Sequence, residues 1–257
     1  MYTAKGKFAW YELMSPDTAA SAAFYSKVIG WGTKDMGSAE NPYTIFLADE
    51  HGVAGMLPLP PGAPPSWIGY ISVDDVDAHA VKIEEAGGKI WKQPTDVPGM
   101  LRFSVVSDPQ GTAFVVFTGN PEMKTPENFP KSPTPGTIGW NELYAADLEG
   151  AWTFYTTLFG WTKITDMDMG PMGTYRLFDD GSGNAMGSGG MMTKPPAIDR
   201  PYWGFYFNVD GTTATINRIK EAGGTLIHGP AEVPGGSWIA QAIDPQGVVF
   251  AVVSATK

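Results

Sequence analysis

The sequence predicts an α+β protein built from two tandem copies, each made of two βαβββ modules. The first observation is a long repeat: Trp10-Tyr11-Glu12-Leu13 returns 130 positions later as Trp140-Asn141-Glu142-Leu143. The second is that Asp108-Pro109-Gln110-Gly111 returns 136 positions later as Asp244-Pro245-Gln246-Gly247. Solenoid units are about 20 to 50 residues long, so a period of this length indicates duplicated domains. The third is the order of strand, helix and further strands, which recurs within each copy.

Hydrophobic periodicity predicts the elements of the first half. Alternating residues indicate strands, and a period near 3.6 indicates helices. Ser15-Pro16-Asp17 favours a helix start, while Gly30 and Gly87-Gly88 favour helix ends. In order, we expect a strand over 8–14, a helix over 19–29, strands over 43–48, 53–57 and 68–73, a helix over 76–85, and strands over 102–107 and 113–117.

A proline-rich segment divides the two copies. Residues 119–135 lack hydrophobic periodicity and have the composition of an extended, semi-rigid connector. We therefore predict a first domain over 1–118, a linker over 119–135 and a second domain over 136–257. The sequence leaves open whether modules pair within a half or across halves, and whether the protein is a monomer or a homodimer.

Composition excludes several classes of function. The chain has 257 residues and a net charge of −10, which disfavours binding to nucleic acid and to anionic membranes because their phosphates would repel it. It has no cysteine, so disulfides and thiolate chemistry are excluded. No signal peptide and no apolar run of about 18 residues is evident. We expect a cytoplasmic protein.

The ordered set of motifs resembles the vicinal oxygen chelate superfamily of glyoxalases, bleomycin resistance proteins and extradiol dioxygenases. No single motif is specific, but the set occurs twice and covers nearly the whole chain outside the linker. The resemblance implies paired βαβββ modules that form half-open barrels, with a ligand inside each cup. It is carried in the first half by Phe24-Tyr25, Gly30-Trp31, Ser72-Val73-Asp74, Ala86-Gly87-Gly88 and Asp108-Pro109-Gln110-Gly111, and in the second by Phe154-Tyr155, Val209-Asp210, Ala222-Gly223-Gly224 and Asp244-Pro245-Gln246-Gly247.

Many members of that family hold a divalent metal at fixed strand positions. Such a metal needs imidazole, carboxylate or comparable oxygen and nitrogen donors. The positions of this chain that match the family's metal ligands lack such donors: Trp10, Trp140, Ile68, Gly204, Val115 and Ala251. A further ligand position, near 55–57 or 187–189, also lacks a suitable side chain. We therefore predict no catalytic metal and no cofactor.

Side chains on the ligand-facing side of the strands are the candidate site residues. Strand residues alternate between faces, so Trp10 shares a face with Phe8, Glu12 and Met14. The same parity in the other strands predicts two aromatic cups, each with one carboxylate, and such cups suit a small molecule. The candidate ligand-binding residues are Trp10, Met14, Tyr70, Ser72, Arg102, Trp140, Tyr144, Tyr206 and Asn208.

Several of these residues have competing interpretations. Glu12 and Glu142 are candidate general bases or ligand anchors, because a carboxylate beside tryptophan loses hydration. In the alternative interpretation they have a structural role and accept hydrogen bonds from backbone groups or tyrosine hydroxyls inside the cup. Trp10 and Trp140 either stack on a flat or cationic ligand or pack in the core. Arg102 has no counterpart in the second half, and it either binds a carboxylate inside the cup or lies on the surface.

These residues favour a metal-free protein that binds a small organic molecule, aromatic or cationic, in a sequestering or resistance-type role. The alternative is a glyoxalase-like lyase or isomerase that acts on a small carbonyl compound, with Glu12 or Glu142 as the catalytic base. In a third interpretation, one half is only a structural partner of the other.

Overall fold

Within its described residues, the first half contains two helices and eight strands. A computed structural model describes residues 5–122, 125–184 and 186–257. The elements are β1 Phe8–Ser15, α1 Thr18–Ile29, β2 Gly32–Asp35, β3 Thr44–Ala48, β4 His51–Pro58, β5 Ser66–Ser72, α2 Val76–Glu85, β6 Lys89–Val97, β7 Leu101–Ser107 and β8 Ala113–Gly119.

The second half repeats this order with one added short 3-10 helix at Gly170–Met172. Both halves thus contain two βαβββ modules, which confirms the predicted fold class. The elements are β9 Ile138–Ala145, α3 Leu148–Phe159, β10 Thr162–Asp168, β11 Thr174–Asp179, β12 Gly189–Thr193, β13 Tyr202–Asn208, α4 Thr212–Glu221, β14 Thr225–Glu232, β15 Trp238–Ile243 and β16 Val249–Ser254.

Each half forms one eight-stranded mixed sheet. The strand order is β2-β3-β4-β1-β5-β8-β7-β6 in the first half and β10-β11-β12-β9-β13-β16-β15-β14 in the second. Within each module the first and last strands are parallel, as in the pairing of β1 with β4 and of β13 with β16. This pairing places residues of the first strand beside residues of the last strand on the same face.

The element positions follow the sequence predictions closely where hydrophobic periodicity is strong. Helix α1 begins after Asp17, whose carboxylate accepts a hydrogen bond from Ala20 N at 2.9 Å, and it ends at Gly30 with a φ of 90°. The edge strands β2 and β6 are not among the individual strands predicted. All four residues of β2 are exposed, and β6 is mostly exposed and contains Pro94, so neither has a clear alternation. None of the helices in the described residues is long and apolar enough to cross a membrane.

Contacts group the chain into two compact units. Unit 1 comprises Met1–Ala9, Ile68–Glu127 and Asn141–Trp203, and unit 2 comprises Trp10–Trp67, Asn128–Trp140 and Gly204–Lys257. Each unit therefore combines segments from both halves of the repeat, which the sequence had left open. The division at 1–118, 119–135 and 136–257 follows the repeat and stays a prediction.

A buried Trp–Tyr–Asp hydrogen-bond chain lies in the core of unit 2. Trp67 Nε1 donates to the Tyr25 hydroxyl at 2.9 Å, and that hydroxyl donates to Asp244 Oδ2 at 3.1 Å. Tyr25 is fully buried, so burial first, and then the nearby Asp244 carboxylate, raise its pKa well above the usual value. The chain joins a helix of the first half to the Asp-Pro-Gln-Gly turn of the second.

Unit 1 contains the equivalent chain. Trp203 Nε1 donates to the Tyr155 hydroxyl at 3.0 Å, which donates to Asp108 Oδ2 at 3.2 Å. Asp108 Oδ1 also accepts hydrogen bonds from the backbone N–H groups of Gln110 and Thr112, at 2.9 and 2.8 Å. The repeated Asp-Pro-Gln-Gly motif is therefore more than a chain reversal, because its aspartate anchors the core of each unit.

These aspartates give a specific pH dependence of stability. Burial raises the pKa of Asp108 and of Asp244 above the usual value. A carboxyl whose pKa is higher in the folded state binds protons more tightly when folded, so its contribution to stability falls as the pH rises from about 4 through the raised pKa. We expect the difference in unfolding free energy between the wild type and Asp108→Asn to fall over this range and to level off at neutral pH. Urea unfolding at successive pH values measures it, and a difference that grows with pH would contradict the assignment.

Candidate functional site

One face of β1 carries the candidate residues of the first half. Burial alternates along the strand, and Trp10, Glu12 and Met14 are half-buried on one face. This is the alternation that the sequence predicted. Phe8 differs, because its ring packs against Trp161 and Trp203 with centroid distances of 5.9 and 5.0 Å. The opposite face consists of Ala9, Tyr11, Leu13 and Ser15, all of them buried.

Glu12 lies at the end of a short chain of hydrogen bonds. Trp10 Nε1 donates to the Tyr43 hydroxyl at 3.1 Å, and that hydroxyl donates to Glu12 Oε1 at 2.7 Å. Glu12 is paired with Gly55 across the parallel strands β1 and β4. A Cβ at Gly55 would lie 2.0 Å from the Tyr43 hydroxyl oxygen, so only glycine leaves room for the tyrosine. We call Trp10, Glu12, Met14, Tyr43 and Gly55 the Glu12 site; it lies within unit 2.

The same arrangement surrounds Glu142 in unit 1. The Tyr175 hydroxyl donates to Glu142 Oε1 at 2.7 Å. Glu142 is paired with Gly190 across β9 and β12, and a Cβ at Gly190 would lie 2.2 Å from Tyr175 Cζ. Glu142 is only 6% exposed. A tyrosine donor and a facing glycine therefore orient the carboxylate in both copies of the repeat.

The Glu142 site contains two further tyrosines. The rings of Tyr144 and Tyr202 are stacked, with centroids 5.0 Å apart and planes 20° from parallel. Burial first, and then the Glu142 carboxylate, raise the pKa of the Tyr202 hydroxyl above its usual value. We define the Glu142 site as Glu142, Tyr144, Tyr175, Gly190 and Tyr202.

The other candidates in unit 1 are buried by their own neighbours. Tyr70 packs edge-on against Phe117 at a centroid distance of 5.8 Å. The backbone of Ser72 accepts a hydrogen bond from Gly6 N and donates one to Lys7 O, at 2.8 and 2.9 Å. Both side chains are almost fully buried. Ser72 thus anchors the segment that leads into β1.

The candidates from the second half in unit 2 have similar surroundings. The Tyr206 hydroxyl accepts a hydrogen bond from Gln241 Nε2 at 2.7 Å. Asn208 Nδ2 donates to Thr137 Oγ1 at 2.9 Å and to Ser132 Oγ at 3.1 Å. Asn208 therefore holds the segment that leads into β9. Trp140 is half-buried on that strand.

Arg102 forms ion pairs with two carboxylates. Its Nε and Nη2 donate to Asp77 at 2.7 and 2.8 Å, and its Nη1 donates to Asp96 at 3.0 Å. The hydrogen bonds of Arg102 lower the pKa of Asp77 below its usual value. A ligand carboxylate would have to displace both partners, so we leave Arg102 out of the site proposed for the ligand.

Comparison with known proteins shows the family to which this chain belongs. The profile of the Glyoxalase/Bleomycin resistance protein/Dioxygenase superfamily matches residues 7–116 and 137–252. The chain belongs to this superfamily. The two matched segments confirm the tandem arrangement that the repeat predicted.

Two named relatives match this chain over almost their full length. "Putative glyoxylase CFP32" of Mycobacterium tuberculosis (strain CDC 1551 / Oshkosh) is 33% identical over 251 residues, which cover 95% of this chain and 93% of the relative. "Anthracycline biosynthesis protein DnrV" of Streptomyces peucetius is 33% identical over 267 residues, which cover 97% and 94% of the two chains.

Solved structures share the fold at low sequence identity. The Mn(II)-bound glyoxalase from Novosphingobium aromaticivorans superposes with a TM-score of 0.67 at 19% identity, covering 98% of this chain and 83% of that one. The 2,3-dioxygenase LapB from Pseudomonas sp. KL28 superposes with a TM-score of 0.67 at 11% identity, covering 100% of this chain and 94% of that one.

The superfamily's metal positions have no suitable ligands in this chain. In the described ranges, no three His, Cys, Asp or Glu side chains come close enough together to hold a metal ion. Divalent metals require such donors, so the residues present do not fit the metal site of the metal-dependent members. The positions hold Trp10, Trp140, Ile68, Gly204, Val115 and Ala251.

Sequence reasoning missed the tyrosine partners of the two glutamates. Tyr43 precedes buried Phe46 by three residues, and Tyr175 precedes buried Phe178 by the same interval. This repeated Tyr-x-x-Phe pattern could have identified both tyrosines. Tyr202 offered no such signal, because its position is occupied by Ser66 in the first half.

Proposed function

We propose that this superfamily member binds a small, flat organic molecule without a metal, using Glu12 and Glu142 as polar anchors. The observation that carries the proposal is the repeated Tyr–Glu pair, with 2.7 Å between the hydroxyl and carboxylate oxygens in each copy. A carboxylate can accept several hydrogen bonds, so the tyrosine fixes its orientation and leaves capacity for a ligand donor.

Aromatic side chains beside each carboxylate support binding by stacking. The Glu12 site has the indole of Trp10, which is held in place by its hydrogen bond to Tyr43. The Glu142 site has the Tyr144 and Tyr202 pair. Apolar walls with few polar groups are typical of small-molecule sites, and flat rings stack on such walls.

The names of two relatives suggest the first ligand class to test. DnrV and DauV, 33% and 32% identical to this chain, are both named as anthracycline biosynthesis proteins. A fused-ring aromatic compound of the anthracycline type would suit stacking on tryptophan or tyrosine, with a hydroxyl or amino group directed to a glutamate. We therefore take this class as the leading ligand.

A glyoxalase-like lyase or isomerase is the second candidate. The name of CFP32 favours it, and so does the presence of a buried carboxylate that could act as a general base. In this case Glu12 or Glu142 would be catalytic. Turnover of the methylglyoxal–thiol adduct that is lost in Glu142→Gln or in Glu12→Gln would favour the enzyme over the binding protein.

Replacing Trp10 tests the binding proposal. With an anthracycline-type ligand, we expect Trp10→Leu to weaken binding about tenfold, since aromatic stacking contributes about 0.5–1.5 kcal/mol and tenfold is about 1.4 kcal/mol. Isothermal titration calorimetry on the full chain measures the change. Trp91→Leu is the matched control, because Trp91 is 59% exposed on β6 and should leave affinity unchanged. Equal losses in both variants, or no binding by the wild type, would contradict the proposal.

A further inference from the structure

The two sites differ in one pair of residues although they share the Tyr–Glu–Gly arrangement. The Glu142 site holds the stacked Tyr144 and Tyr202. The equivalent positions in the first half are Met14 and Ser66. The second copy therefore has a flat aromatic pair beside its carboxylate where the first has a thioether and a hydroxymethyl group.

Tyr202 brings a polar group as well as a ring. The Tyr202 side chain is half-buried against the ring of Tyr144. Burial and the nearby Glu142 carboxylate raise its pKa, so it stays protonated and is an O–H donor at neutral pH. The Glu142 carboxylate, oriented by Tyr175, is an acceptor. Tyr202 stacks on Tyr144, which is two residues from Glu142 and on the same face of β9, so a donor and an acceptor lie along one aromatic wall.

We propose that the Glu142 site selects flat aromatic ligands that carry a hydroxyl group, and that Tyr202 is the residue that determines this selection. The ligand hydroxyl would accept a hydrogen bond from the Tyr202 O–H and donate a hydrogen bond to the Glu142 carboxylate. A hydroxyl group is both donor and acceptor, so it satisfies both partners at once. The inference rests on the proposed binding function. It adds the ligand group and the residue that recognises it.

Two soluble probes isolate the hydroxyl group. Naphthalene-2-sulfonate lacks it, and 4,6-dihydroxynaphthalene-2-sulfonate carries it. Naphthol hydroxyls stay protonated at neutral pH and these two are too far apart to chelate a metal, so both probes carry the same single charge. We expect the wild-type full chain to bind the dihydroxy probe at least tenfold more tightly in calorimetry. In Tyr202→Phe this preference should fall to about twofold, because the ring stays and only the donor is lost. The affinity for the unsubstituted probe should stay within about twofold.

Glutamate variants test which site is responsible for the preference for the dihydroxy probe. We expect Glu142→Gln to reduce the preference for the dihydroxy probe more than Glu12→Gln does. Glu84→Gln, at an exposed position of α2, should leave it unchanged. An undiminished preference in Tyr202→Phe, or a loss in Glu12→Gln alone, would overturn this inference while the binding function stands. Failure of the wild type to bind either probe would overturn both.

Discussion

Asp108→Ala is expected to lower the free energy of unfolding by about 3 kcal/mol or more. The substitution removes the acceptor of two backbone N–H groups and of the Tyr155 hydroxyl. Each buried donor left without an acceptor costs about 1–3 kcal/mol. Urea unfolding of the full chain, followed by fluorescence, measures the loss as a lower midpoint at an unchanged slope.

Two control variants distinguish this mechanism from a general effect of losing an aspartate. Asp108→Asn keeps one acceptor oxygen and an amide that can pair with the Tyr155 hydroxyl, so we expect a loss of only about 1 kcal/mol. Asp199 is exposed, and Asp199→Ala should change stability by less than about 0.5 kcal/mol. If Asp108→Ala cost no more than Asp199→Ala, the buried Trp–Tyr–Asp chain would have no measurable role in stability.

Gly190→Ala is expected to abolish most of the ligand affinity of the Glu142 site. The new Cβ would lie 2.2 Å from Tyr175 Cζ and 2.3 Å from its hydroxyl oxygen, so the ring must move and its hydrogen bond to Glu142 must break. Overpacking of this kind costs about 1–3 kcal/mol in stability. We expect affinity for the dihydroxy probe to fall at least tenfold in calorimetry.

Gly32→Ala is the matched control for Gly190→Ala. A Cβ there would only touch the side chain of Leu47 at 3.6 Å, so affinity and stability should change little. Tyr175→Phe removes the hydrogen bond without steric conflict and should lower affinity in the same direction as Gly190→Ala. Unchanged affinity in both Gly190→Ala and Tyr175→Phe would show that the orientation of Glu142 does not determine binding.

The sequence was sufficient for the fold because its signals are local and occur twice. Asp17 and Gly30 bound the first helix, and Asp-Pro-Gln-Gly precedes the last strand in each half. The alternation that places Glu12 and Trp10 on one face is likewise a local property of a strand. The edge strands β2 and β6 escaped prediction because exposed edges need no hydrophobic alternation.

The partners of the site residues could not be predicted in the same way. The bond between Glu142 and Tyr175 joins residues 33 positions apart, and it depends on the pairing of β9 with β12. Which module contributes to which compact unit also depends on contacts between distant segments, since Tyr25 meets Asp244 across 219 positions. Such contacts depend on tertiary packing, of which a single sequence carries no periodic signal.

Calorimetric titration of the dihydroxy probe after exhaustive chelation tests the central claim most directly. Wild-type protein would be treated with EDTA, shown to lack metal by elemental analysis, and titrated before and after addition of Mn(II) or Zn(II). We expect the chelated protein and the metal-supplemented protein to bind the probe with the same affinity. Binding that requires the added metal, with stoichiometric metal retained by the protein, would contradict it.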